Sequence, residues 1–182
     1  MKHENIKIEY QDTPDALRET ADEVTAFLVK HLLELNAVEN EVTRLAIYLQ
    51  NGMHIKGMPR DANSLWAMYR KRYGEVATAF CDEKLLARGY AQSMCYNTYD
   101  PHTAGSVPKE IIFGSYAYLH TGCTLAVTVK SRKRAVIEAY FSYPWQGSVS
   151  VEQFTLRYTD HWWLLNKRQK ILHADRWGKG FI

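Results

Sequence analysis

The residues best suited to proton chemistry in this chain are its seven histidines. A neutral imidazole titrates close to physiological pH and serves as a general base when a partner fixes its tautomer. His120 opens the run His120-Thr-Gly-Cys-Thr-Leu-Ala-Val, and His31 lies in an apolar-periodic stretch shortly before Asn36. Each also has a plainer reading, His120 as a solvated residue at a strand start and His31 as a partly buried helix histidine. Asp100-Pro101-His102 sits in loop composition, its acid and imidazole too close in sequence to form a relay alone, and Asp160-His161 occupies a turn. No His-x-x-x-His or Cys-x-x-Cys spacing occurs, so no metal site is expected. Cys81, Cys95 and Cys123 read as buried free thiols of a reducing cytoplasm. The chain has no Gly-rich phosphate loop, dinucleotide fingerprint or Gly-x-Ser-x-Gly elbow, and no cofactor is expected.

These residues must be positioned by helices in the first half and strands in the second. Thr13-Pro14-Asp15 suits a helix start, with Thr able to cap and Pro at the first helical position. Leu17, Ala21, Val24, Phe27, Leu28, Leu32 and Leu35 then recur at helical spacing. The pattern hesitates at Asn36-Ala37 and resumes as a second helix ending at Asn51-Gly52. Met53–Gly57 reads as a very short strand, and a third helix capped by Asn63 or Ser64 runs through Tyr73 and on towards Gly89. Ile6 and Ile8 suit a short edge strand. Tyr90–Tyr99 has mixed signals, and Ile111–Leu119 has strand character. From Thr124 the runs Thr124–Val129, Ala135–Tyr143, Ser148–Tyr158 and Trp162–Gln169 alternate and are broken by short polar turns, the pattern of an antiparallel meander. The predicted class is α+β, with helices segregated onto one face of a curved antiparallel sheet.

Composition sets the bounds. The chain has 182 residues, 46% hydrophobic and 13% aromatic, which suits one folded domain spanning 1–182, with a polar lead-in at 1–12 and a tail at 171–182. A formal charge of +3 is no nucleic-acid footprint. No apolar run approaches a membrane span, and the N-terminus lacks signal-peptide character. A cytoplasmic protein without nucleic-acid or membrane partners is expected.

Three stretches resemble the SnoaL-like branch of the nuclear-transport-factor-2-like superfamily. They are Leu49-Gln-Asn-Gly-Met-His-Ile-Lys-Gly57 leading to Leu65-Trp-Ala-Met-Tyr, then His120–Val129 with the alanine-led strand after Arg134, and Phe154–Arg168 as a closing hairpin. The resemblance implies a cone-shaped domain with a pocket between helices and sheet. It implies His120 as a pocket base, and an Asp near the end of the first helix that would orient it. Here Asn36 and His31 stand where the family places that Asp and a pocket Tyr.

Two functions follow as expectations. One is a small-molecule pocket protein for a small apolar or partly polar ligand, of cofactor-free lyase, isomerase or dehydratase type. It would use His120 and His31 as catalytic candidates, with Asn36, Tyr118 and Tyr140 holding the ligand. The other is a non-catalytic interaction protein of the same fold, such as a bacterial immunity protein facing a cognate toxin. Tyr143 and Trp145, flanking Pro144, would then meet the partner. The basic turn Lys130-Ser-Arg-Lys-Arg134 reads as a solvated turn or as an attractor for an acidic partner. The aromatic-rich sheet face suggests a homodimer.

Overall fold

A computed structural model describes residues 5–89, 112–142 and 147–182. One long helix lies over a six-stranded sheet whose strands follow chain order across it. The first strand, Ile6–Tyr10 (β1), is the edge strand suggested by Ile6 and Ile8. It pairs in parallel with Cys123–Ser131 (β2), so the sheet is mixed and not wholly antiparallel. The β2 strand, Arg134–Phe141 (β3), Ser150–Tyr158 (β4) and Trp162–Ile171 (β5) form the expected antiparallel meander. A last strand, Gly178–Lys179 (β6), pairs with β5, and Ile182 beyond it is buried in the core. The expected tail is therefore partly built into the sheet.

The first helix, Arg18–Gln50 (α1), is continuous where two helices were expected. Asn36 is a poor helix former, yet it breaks nothing. Its flanking positions Leu35, Val38 and Val42 continue one buried stripe, and its own side chain is buried with a tertiary partner. Thr13 does not cap. Its hydroxyl donates to the Val127 carbonyl (3.0 Å) and accepts from the Val129 N–H (2.9 Å), tying the lead-in to β2. Past the helix Gly52 takes φ +67°, the left-handed turn expected of a glycine there. The stretch Met53–Gly57 forms turns and no strand, with Met53 and Ile55 exposed.

The second helix, Ala62–Thr78 (α2), is capped by Asp61, whose Oδ1 accepts from the Ser64 N–H at 2.9 Å. It stops before Gly89 because Cys81 forms a parallel bridge with Leu164, after which Glu83–Leu86 makes one further turn (α3). Described residues of the stretch read as a strand up to Leu119 instead lead into a helical turn at Tyr118–Thr121 (α4). Gly114 at φ +113° and the Thr121 N–H bonded to the Ala117 carbonyl curl the chain away from the sheet. Tyr90–Tyr99 and the Asp100-Pro101-His102 loop lie outside the described residues.

Alternate side chains of the strands face α1 and α2. Leu125, Val127, Ile137, Phe154, Leu156 and Leu164 meet Leu28, Leu32, Leu35, Leu65, Tyr69 and Tyr73 in one core. That interface is where the site must be sought.

Candidate functional site

Ionisable groups are found inside this core. A bulge on β5 puts one of them there. Leu156 pairs with Leu164 but Thr155 pairs with Asn166, so Leu165 is the extra residue. An unbroken register would place Asn166 opposite Phe154 on the inner face; the bulge places Lys167 there instead. The Lys167 side chain is 3% exposed and its Nζ lies 2.9 Å from Glu152 Oε1. It also donates to the Tyr116 hydroxyl at 3.1 Å and lies 4.5 Å from the centre of that ring. The second oxygen of Glu152 accepts from the Tyr118 hydroxyl at 2.9 Å, and Tyr118 stacks on Phe141 with ring centres 3.9 Å apart. A buried pair of this kind persists only when the remaining donors and acceptors are met, and here the two tyrosines meet them.

A second carboxylate comes from α1. Glu39 accepts from the Ser115 N–H (2.7 Å) and the Ser115 hydroxyl (2.9 Å). Its neighbours on the helix, Asn36 and Asn40, hold the Phe113 carbonyl (2.8 Å) and N–H (3.0 Å). Three polar side chains of α1 thus clamp the segment 113–115. Gly114 is required at that clamp, since a Cβ there would lie 2.3 Å from Asn36 Nδ2 and 2.6 Å from Glu39 Oε2. Burial raises the Glu39 carboxyl above its ordinary range, despite the Ser115 hydrogen bonds and the Lys167 charge that oppose the shift. The Tyr73 and Tyr116 phenols are raised well above theirs, first by burial and then by neighbouring groups that include Glu39.

The expected site residues are not gathered in this way. His120 is exposed on the α4 turn, its carbonyl accepting from Asn5 Nδ2; it is not on a strand facing the interior. His31 lies between aromatic rings, 4.4 Å from Phe27 and 4.7 Å from Phe80, with Nδ1 against the Phe27 carbonyl at 2.8 Å. Asn36 is buried, but it bonds the Phe113 backbone, so neither Asn36 nor His31 supports His120. Tyr118 is indeed inside, as a donor to Glu152. Tyr140 is on the outer face, donating to Glu138 Oε2 at 2.5 Å. Tyr143 and Trp145 lie outside the described residues. At the β4–β5 turn Asp160 accepts from Thr159 and Trp163, bonds that hold its carboxyl well below the usual range, and His161 Nδ1 lies 3.3 Å away.

The reading from sequence missed Glu39, Glu152 and Lys167. Glu39 shares the buried stripe of α1 with Leu35 and Val42, a signal present in the spacing. Glu152 alternates with Phe154 and Leu156 on β4. For Lys167 the bulge removes any such signal. Among the described residues no group of His, Cys, Asp and Glu could hold a metal ion. A solvent-open hollow of about 340 Å³ lies beside Thr124, Tyr140 and Val149, and Phe141, the ring stacked on Tyr118, also lines it. No protein-family model matches this chain, and no curated protein or solved structure matches it significantly.

Proposed function

We propose that this chain is a non-catalytic interaction protein that acts through its surface. The carrying observation is the space between α1 and the sheet. Where a ligand pocket would sit, the described residues Tyr73, Tyr116, Tyr118, Glu39, Glu152 and Lys167 are all buried against one another. Their charges are spent on internal hydrogen bonds, which leaves the network a structural role. The long helix over hairpins β2–β3 and β4–β5 is compatible with the open cone of the SnoaL-like branch, and an immunity protein facing a toxin is one occupant of this functional class. A small-molecule lyase or isomerase is the second reading. One observation favours it, namely that two carboxylates, a lysine and three phenols converge in one interior with the Asn36 Oδ1 atom lacking a partner. Affinity capture from the protein's own cells followed by intact-complex mass spectrometry separates the two. The interaction reading expects a stoichiometric polypeptide partner and no small-molecule adduct. A stoichiometric small molecule without a polypeptide overturns it.

A further inference from the structure

One end of the sheet carries cations that no ion pair among the described residues balances. The end of the β2–β3 hairpin supplies Lys130, Arg132, Lys133 and Arg134, all exposed. The β3–β4 register then sets Arg134 directly opposite Arg157, also exposed. Like charges directly opposite on neighbouring strands repel, and folded proteins ordinarily place an acid between them. Here the side chains of these five cations make no ion pair with any described residue. Asp160, three residues beyond Arg157, is turned into its own loop by Thr159, Trp163 and His161. Beside Arg157 on β5 is Trp163, half-buried and flanked by His161 with ring centres 4.1 Å apart.

We infer that this end of the sheet, from Lys130 to Arg134 with Arg157 and Trp163, is a docking surface for an acidic polypeptide segment of a partner protein. The cations, without an ion pair among the described residues, supply charge complementarity, and Trp163 supplies the amphipathic anchor that protein interfaces favour. A net charge of only +3 over the whole chain is small for a nucleic-acid binder, which favours a protein as the occupant. The inference rests on the interaction reading and names the surface and partner chemistry for it.

The test is fluorescence anisotropy with labelled poly-L-glutamate against wild type, Arg134→Glu/Arg157→Glu, Lys130→Glu/Lys133→Glu and the outer-face control Arg168→Glu. Thermal melts verify that each variant is folded. Wild type is expected to bind with an affinity that falls as salt rises, and either double reversal to bind about tenfold more weakly, with the control within about twofold. Equal affinity in the reversed variants, or tighter binding of an oligonucleotide or an anionic vesicle, overturns the inference. If intact-complex mass spectrometry finds a polypeptide partner whose binding ignores both double reversals, this surface is wrong and the interaction reading stands. If it finds only a small molecule, the interaction reading fails whatever poly-glutamate does.

Discussion

Replacing Lys167 by Met removes one ion and leaves its partner in place. Glu152 then keeps a carboxylate in a core where its side chain is 9% exposed, with the Tyr118 hydroxyl as its one remaining side-chain donor among the described residues. Breaking a buried pair by deleting one member costs about 3–5 kcal/mol, because the other charge stays desolvated. At about 2–4 °C of melting temperature per kcal/mol for a chain of this size, Lys167→Met should lower Tm by about 6–20 °C. Adding Glu152→Gln removes the stranded charge while still accepting from Tyr118, so the double variant should recover much of that loss. Urea denaturation at neutral pH of wild type, both single variants and the double measures the coupling directly. A Lys167→Met loss below about 1 kcal/mol, or single-variant losses that simply add, would refute the picture of a dry, mutually dependent pair.

Glu39→Gln tests the second carboxylate. The folded state holds the Glu39 proton to higher pH than the unfolded state does, so its contribution is present at acid pH and lost as pH rises through the raised value. The difference in melting temperature between wild type and Glu39→Gln should therefore move in favour of the variant between pH 5 and pH 8, and parallel curves would contradict the assignment. Gly114→Ala forces a Cβ into Asn36 and Glu39 at φ +113° and should destabilise by about 1–3 kcal/mol in the same melts. His120→Ala, at an exposed side chain, should change stability by no more than about 0.5 kcal/mol. In a Cys95→Ser background, Cys81 and Cys123, both buried with thiols raised (Cys123 to about 11), should react with a thiol reagent only on unfolding. Light scattering tests the homodimer, which a 21.1 kDa species at micromolar concentration would contradict.

The strands from Thr124 to Gln169 were legible because their alternation is long and their turns are polar, and β2 to β5 form the expected meander. The break at Asn36 misled because a buried polar residue interrupts an apolar stripe in the sequence while completing a clamp in the fold. The strand expected up to Leu119 failed because Gly114 at positive φ, held by Glu39 and Asn36, overrides local β character with a tertiary contact. Lys167 was hidden by the one-residue bulge, and Arg157 joins the basic turn only through the β3–β4 register. The parallel pairing of β1 with β2 is a long-range event that no local pattern announces.

The most direct measurement of the central claim is the hydrogen-exchange footprint of the partner captured from the protein's own cells. Action through the surface predicts protection at 130–134 and 157–163, with the 36–43 segment of α1 and the 113–118 segment unchanged. Protection confined to 36–43, 113–118 and the inner positions of β4 and β5 would place the bound species inside the fold and contradict the account.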